Sequence, residues 1–407
     1  MYIKRNIEEV ILENSKHYPV LMVCGQRQVG KSTMLLHIKE ENRKYVSLDN
    51  RIARKLAEED PYLFFETYGF PILIDEIQKV PSLFETIKDI VDAKTYNGED
   101  VNGLIWLIGT QKFQMMKGVS ESLAGRVAIF EMSSLSNREK EGFDNELISF
   151  DIEYLKNRSS KEEDINNIFK KIFEGGMPKL FNQFIDRERY YSDYISTYIE
   201  RDIRELSQIG KINEFYDFLV YVAARTGQEI KYDEISKQIG ISAPTVKSWI
   251  SILEQSGIIF ILKPYSSNIT NRLVKTPKLY FMDTGLAAYL CRWLSPETLA
   301  NGNMSGAFLE TYVVSEIIKS YMNAGKSVKD LYYYRDFDQK EINLVFVGAD
   351  YLVPIEIKKN KEPQNADKNF HLIEKYTKKV LPGIVFCFSD IVVPLNRNCY
   401  LVPISKI

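Results

Sequence analysis

Gly25-Gln26-Arg27-Gln28-Val29-Gly30-Lys31-Ser32-Thr33 decides how the first third of this 407-residue chain folds. The stretch follows five apolar residues, Val20-Leu21-Met22-Val23-Cys24, and runs into Thr33-Met34-Leu35-Leu36-His37-Ile38, a segment of helical period. A G-x4-GK-[ST] pattern between a buried strand and a helix is a phosphate loop. Its glycines let the main chain close on an anion, and amides at the positive end of the following helix surround the β-phosphate. Gly25, Gln28, Val29 and Gly30 therefore belong to the loop. Lys31 adds a point charge between the β and γ oxygens, Thr33 contacts phosphate, and Ser32 ligates Mg²⁺. The expected ligands are ATP and Mg²⁺.

Outward from the loop, short apolar runs at 45–48, 72–74, 104–108 and 127–130 alternate with longer helical segments. That is the pattern of a parallel sheet with crossover helices. Run 72–74 ends in Asp75-Glu76. In a P-loop site the first carboxylate holds the metal through the loop hydroxyl or water, and the second polarises the attacking water. Asp75 is the expected metal residue and Glu76 the expected general base. Run 104–108 leads to Gly109-Thr110-Gln111, which puts a hydroxyl and an amide at the carboxyl edge, where open α/β sheets bind ligands. Thr110 or Gln111 is expected to sense the γ-phosphate. Arg126, just before run 127–130, reaches phosphate in cis or across a subunit interface, with a surface salt bridge as the competing expectation.

Hydrophobic residues make up 45% and charged residues 27%, which excludes a disordered or fibrous chain. Aliphatic runs such as 257–262 and 383–388 fall far short of the roughly 20 apolar residues that cross a bilayer, so no membrane contact is expected. The N-terminus turns acidic at Glu8-Glu9, where a secretory signal would be apolar. Cys24, Cys291, Cys387 and Cys399 lie far apart without a CxxC pair, so neither a disulfide framework nor a zinc site is expected, and the chain reads as cytoplasmic. His17, His37 and His371 have no second ligand at metal spacing. Lys and Arg number 53 against 55 Asp and Glu, a net charge of −2, so any nucleic-acid surface is local.

The pattern changes near Leu135 to charged helices interrupted at Gly175-Gly176-Met177-Pro178. We divide the chain into a core at 1–134, a helical lid or linker at 135–212, a middle domain at 213–285 and a C-terminal domain at 286–407. Helical runs at 212–226 and 232–240 precede a third that Ser242 caps, with Pro244 in its first turn. This is a helix-turn-helix. Val246, Trp249, Ile250 and Leu253 form the buried stripe. Ser242, Ala243, Thr245, Lys247 and Ser248 stay at the exposed N-terminal end, the end that enters a major groove. Strands at 258–262 and 278–282, with Asn268 to Lys275 between them, complete a winged helix. Segment 231–283 holds seven basic residues against four acidic, which supports a few phosphate contacts. DNA is the expected partner, and a protein the alternative.

The segments 25–33, Ile74-Asp75-Glu76-Ile77-Gln78, Gly109-Thr110-Gln111 and Ser122-Leu123-Ala124-Gly125-Arg126 together resemble the AAA-like ATPases of bacteria and archaea that carry a C-terminal domain of unknown function. Tyr198-Ile199-Glu200-Arg201-Asp202, Phe281-Met282-Asp283-Thr284-Gly285-Leu286, Gly306-Ala307-Phe308-Leu309-Glu310 and Ile355-Glu356-Ile357-Lys358 resemble the later half of that family. The resemblance implies a sensor strand lying between the loop strand and the Asp-Glu strand, and a homo-oligomer in which a neighbour's arginine completes the site.

The C-terminal domain further resembles a PD-(D/E)XK nuclease core, in which two strand acids bind Mg²⁺ and a lysine beside the second stabilises hydroxide. Glu356 and Lys358 match, but Asn343 stands where the first acid belongs. A neutral amide there forfeits about 4 kcal/mol of attraction per unit charge at ~4 Å and an effective dielectric of ~20. The expectation is an inactive site, with Glu310 or Glu341 as the candidates to replace the missing acid. Residues 356–379 hold seven lysines against four acids, so a DNA-facing surface survives the loss of chemistry. The chain thus reads as α/β: a P-loop NTPase parallel sheet, a helical linker, a winged-helix domain and a C-terminal α/β nuclease-like domain. The implied function is an ATPase whose nucleotide state controls DNA engagement. The alternatives are an ATP-dependent switch that binds a protein and an ATP-gated nuclease.

Overall fold

Five parallel strands build the amino-terminal third of the computed structural model, which describes residues 2–110, 119, 122–144, 146–182, 185–199, 212–266, 276–376 and 378–407. They are β1 (Val20–Gly25), β2 (Lys44–Ser47), β3 (Ile72–Asp75), β4 (Ile105–Ile108) and β5 (Val127–Met132), in the order β2-β3-β4-β1-β5. The strand that ends before Thr110 therefore lies between the loop strand and the Asp-Glu strand, as expected.

Alternate residues of these strands feed two cores. Leu21, Val23, Leu73, Trp106 and Ile108 pack with α1 (Glu8–Ser15) and α2 (Lys31–Ile38). Val20, Met22, Ile72, Ile74, Ile105 and Leu107 pack with α3 (Arg51–Glu59), α4 (Pro61–Tyr68) and α5 (Leu83–Tyr96). A sheet covered on both faces explains why β1, β3 and β4 are unbroken apolar runs. Gly25 ends β1 with φ 136°, and a Cβ there would lie 2.1 Å from the Met132 carbonyl oxygen at the end of β5, so only glycine fits.

Short helices at Asn137–Glu141, Ile165–Glu174, Pro178–Asn182 and Arg187–Tyr194 follow the sheet. Three further helices, Ile212–Ala224, Tyr232–Ile239 and Ala243–Gln255, stand against an antiparallel sheet of β6 (Gln228–Glu229), β7 (Ile259–Leu262) and β8 (Lys278–Phe281), ordered β6-β8-β7. Phe215 and Phe218 meet Trp249 edge-on at 5.1 and 5.2 Å, which fixes the first helix of the three against the last. The Ser305–Asn323 helix then leads into a seven-stranded sheet. Its path is β14 (Val393–Asn396), β15 (Cys399–Pro403), β13 (Gly383–Cys387), β11 (Tyr351–Ile357), β10 (Glu341–Val347) and β9 (Leu331–Arg335), with β12 (Lys379–Val380) paired to β11. The same long helix touches the core: Glu316 accepts from the Asn137 amide at 2.6 Å, and Lys319 donates to the Leu135 carbonyl at 3.2 Å.

Among the described residues, no helix is long and apolar enough to cross a membrane. Gln111, Glu200-Arg201-Asp202 and Asn268 to Lys275 lie outside the described residues.

Candidate active site

The phosphate loop runs from the carboxyl end of β1, the central strand with respect to β4 and β5, into α2. Gly30 takes φ 94° at the start of α2. Lys31 is 5% exposed, and its Nζ donates to the carbonyls of Gly25 at 2.8 Å and Gln26 at 2.5 Å. Burial pulls its pKa down to about 8, against the opposing charge of Glu76. Ser32 Oγ donates to Asp75 Oδ2 at 2.8 Å. A hydroxyl and a carboxylate thus meet where a hard divalent ion beside a phosphate would need oxygen ligands. Gln28, Gly30, Thr33, Glu76 and Thr110 share with Lys31 and Ser32 a cavity of about 380 Å³.

Asp75 ends β3, and Glu76 leaves it in a left-handed conformation, φ 58° and ψ 43°. Asp75 Oδ1 accepts from the Glu76 amide at 2.9 Å. Gln78 Nε2 donates both to Glu76 Oε2 and, at 3.1 Å, to Thr110 Oγ1. Thr110 lies 3.4 Å from the same Glu76 oxygen. The structure therefore brings together Lys31, Ser32, Thr33, Asp75, Glu76 and Thr110. It adds two residues to which the sequence assigned no role. Gln78 is one, and Tyr45 on edge strand β2 is the other, its hydroxyl donating to Asp75 Oδ2 at 2.9 Å. Burial and the neighbouring Asp75 push the Tyr45 phenol up to about 12, so it remains a donor.

A second, more apolar cavity of about 240 Å³ adjoins the first through Gln28, Gly30 and Thr33, and Tyr2, Ile3, Val29, Leu135 and Pro178 wall it. Lys179 lines both cavities. It belongs to the Pro178–Asn182 helix, held by the preceding glycines: the Gly176 amide donates to Asp283 Oδ2 at 2.8 Å, and its carbonyl accepts from Leu135 at 2.8 Å. Asp283 is fully buried and also accepts from Tyr191 and from the Leu286 amide, each at 2.9 Å.

Arg126 requires a correction. It precedes β5, whose first residue pairs with the first residue of β1, so it lies at the amino edge of the sheet. Five residues of strand, about 17 Å, separate that edge from the phosphate loop. Its guanidinium makes a two-pronged pair with Asp92 of α5 at 2.6 and 2.8 Å. A phosphate contact in cis is excluded, and the salt bridge is what forms.

Along the Ala243–Gln255 helix the burial follows the apolar pattern of the sequence. Ser242 accepts from the Thr245 amide, Val246, Trp249, Ile250 and Leu253 are buried, and Lys247 and Ser248 are exposed. Lys247 lies over the Tyr232 ring at 5.5 Å. In the C-terminal domain Glu310, Asn343, Glu356 and Lys358 do gather, joined by hydrogen bonds from Asn343 Nδ2 to Glu310 at 2.9 Å and from Lys358 to Glu356 at 2.7 Å. Glu341 does not replace the missing acid, because it is paired with buried Lys278. Of the lysines between 356 and 379, Lys358, Lys359, Lys361, Lys375 and Lys378 each have a partner within the protein.

Residues 17–141 match a family described as AAA domain, residues 165–297 one described as a domain of unknown function (DUF8612), and residues 305–407 another of that description (DUF4143). Uncharacterized proteins of Mycobacterium bovis and Mycobacterium tuberculosis are each 25% identical over 368 residues, 89% of this chain and 76% of theirs. Among solved structures, a Walker-type ATPase of Pyrococcus abyssi is 16% identical, with a TM-score of 0.42 over 71% of this chain and 96% of that one. The segment 17–141, with its parallel sheet and phosphate loop, matches the family described as AAA domain, and the two segments after it match families described only as domains of unknown function.

Proposed function

We propose that the chain is a Mg²⁺-dependent ATP hydrolase whose nucleotide state governs how its middle and C-terminal domains engage DNA. The observation that carries this reading is the meeting of Lys31, the Ser32–Asp75 pair and Glu76 at one cavity. The triphosphate lies along residues 25–33, with Lys31 turned to its β and γ oxygens and Thr33 beside it. Among the described residues no group of three or more His, Cys, Asp and Glu could hold a metal alone. Ser32 and Asp75, paired at 2.8 Å, are the residues that would hold the ion. Bound Mg²⁺ supplies neutralisation of the charge that develops on the transferring phosphoryl group. Glu76 takes the proton of the attacking water, and Thr110 reports on the γ-phosphate. The apolar cavity beside Thr33 takes the base.

ATP retention and phosphate release by the purified chain, with Lys31→Ala as the control, test this reading. Both are expected to fall in the variant, since it removes the ammonium turned to the β and γ oxygens. Undiminished ATP binding by Lys31→Ala would end it.

A winged-helix role for 213–285, with Thr245, Lys247 and Ser248 at the exposed end of the Ala243–Gln255 helix, supports DNA as the partner. Affinity for duplex is then expected to weaken as salt rises, because phosphate contacts release counterions. A flat salt response, or no duplex binding at low salt, would reject DNA as the partner in favour of a protein, and the partner-bonded C-terminal lysines favour that second reading. A homo-oligomer would bring Arg126 of one copy to another's nucleotide, which solution mass with and without ATP tests.

A further inference from the structure

Glu310 and Glu341 of the C-terminal domain meet one lysine of β8 in the middle domain, and Asn343 links Glu310 onward to Glu356. Lys278 is 3% exposed, lies 3.0 Å from Glu310 Oε1, and also donates to Glu341 Oε1. Tyr280, two residues further and on the same face of the strand, donates to the same Glu310 oxygen at 2.7 Å. The other Glu310 oxygen accepts from Asn343 Nδ2 at 2.9 Å. Glu356 Oε2 accepts from the Asn343 amide at 3.3 Å, Glu356 Oε1 accepts from Lys358 at 2.7 Å, and Asn343 Oδ1 accepts from the Ile357 amide at 2.9 Å.

Every oxygen of Glu310 and Glu356 is thus already turned to a protein donor. A divalent ion needs several of those lone pairs aimed at one point. The cluster is not walled off from small ions, since a cavity of about 400 Å³ opens onto Lys278, Glu310 and Glu341. What keeps a metal out is occupancy. Burial opposes the lysine's charge, but Glu310 and Glu341 outweigh it and hold the pKa above that of an ordinary lysine, so the ammonium stays charged. Left without it, the half-buried Glu310 and Glu341 would lose the one cation that they share.

We propose that Lys278 is the resident cation of this cluster: it takes the place of a divalent metal, clasps β8 to the C-terminal domain, and leaves that domain without metal-assisted phosphodiester hydrolysis. Asn343 is then a bridge between Glu310 and Glu356, suited to a metal-free network because an amide can donate to one carboxylate while its carbonyl accepts from the main chain. The inference is independent of ATP turnover at the phosphate loop.

The test is Mn²⁺ binding by the full chain without nucleotide, followed by the paramagnetic resonance of free Mn²⁺. Wild type and Glu310→Gln are expected to bind Mn²⁺ alike. Lys278→Met, which keeps the side-chain length and removes the charge, should gain one site per chain, with affinity at least about tenfold above any wild-type binding, because ligand charge without a competing cation sets affinity at such sites. Lys278→Met/Glu310→Gln should lose that site. A wild-type Mn²⁺ site that Glu310→Gln removes overturns the proposal, and so does a folded Lys278→Met that gains none. If Lys278→Met does not fold, the comparison of wild type with Glu310→Gln decides by itself, since it leaves the lysine in place.

Discussion

Glu76 holds a left-handed backbone, φ 58° and ψ 43°, in a region where side chains crowd the main chain. Such a conformation costs on the order of 1–3 kcal/mol and persists only where the surroundings impose it. Here Asp75 Oδ1 fixes the Glu76 amide, while Gln78 and Thr110 fix its carboxylate. The left-handed step brings the carboxylate to the wall of the phosphate cavity, immediately after a strand whose last side chain pairs with Ser32. If Glu76 is the proton acceptor, Glu76→Gln keeps the shape and removes the basic oxygen. Hydrolysis should then fall by about 10²–10⁴-fold with ATP affinity retained, as for loss of a general base. Phosphate release measured beside nucleotide affinity checks this, and an unchanged rate removes Glu76 from the chemistry. The meeting of Lys31, Ser32, Asp75, Glu76 and Thr110 was legible because the first two stand in the phosphate-loop pattern at the start of α2 and the other three at the ends of apolar strands. Tyr45 and Gln78 were not, since a tyrosine on an edge strand and a glutamine in a turn look like any others until the fold aims them at Asp75 and Glu76.

Two clasps made of whole elements flank the nucleotide cavities. One joins the Gly175-Gly176 turn to Asp283, a contact across 107 residues of sequence. Asp283 receives donors on both oxygens, Gly176 on one and Tyr191 and Leu286 on the other, so an amide cannot serve both sides. Asp283→Asn should cost about 1–3 kcal/mol through an unsatisfied buried donor, seen as a lower melting temperature, and an unaltered melt would deny the clasp its weight. The other ties the N-terminal arm beneath the loop. Arg5 donates to the Val29 carbonyl at 2.7 Å and pairs with Glu139 at 2.9 Å, while the Asn6 and Ser136 amides donate to the same carboxylate. Burial pushes the Glu139 pKa up, and Arg5 with the two amides outweighs burial and holds it below the ordinary 4.5. The folded carboxyl is then the stronger acid, so as pH falls the unfolded chain takes up the proton first. The stabilisation is complete above the unfolded value and disappears as pH drops through the lower folded one. Melting temperature followed from about pH 6 to about pH 3 should fall more steeply for wild type than for Glu139→Gln, and parallel curves would contradict the assignment. Neither clasp was visible in the sequence: Met282-Asp283-Thr284-Gly285 was present as a string, but its partner turn lies in another segment.

At the scale of the molecule, local pattern was enough to place the sheet strands and the three middle helices, because short unbroken apolar runs mark strands covered on both faces and a repeat near four residues marks a helix with one buried face. How the domains lean on one another was not legible, since those contacts join residues hundreds of positions apart. The contact with most consequence links Gln26 in the phosphate loop to Gly257, just beyond the Ala243–Gln255 helix. Gln26 is 2% exposed, its Nε2 donates to the Gly257 carbonyl at 2.5 Å, and its own carbonyl accepts from Lys31. The main chain of the phosphate loop is therefore one side chain away from the C-terminal end of the helix whose N-terminal end is proposed to meet DNA. A ligand at either site that shifts this contact must alter affinity at the other by the same factor, typically on the order of 5–150-fold. The expected outcome is that ATP changes the DNA affinity of the wild type. In Gln26→Ala that ratio should shrink to about one, whatever the substitution does to ATP affinity alone, because the coupling free energy has lost its connection. Duplex titrations with and without ATP, for both proteins, measure the ratio. A Gln26→Ala ratio equal to the wild-type ratio would mean that the two sites communicate by another route.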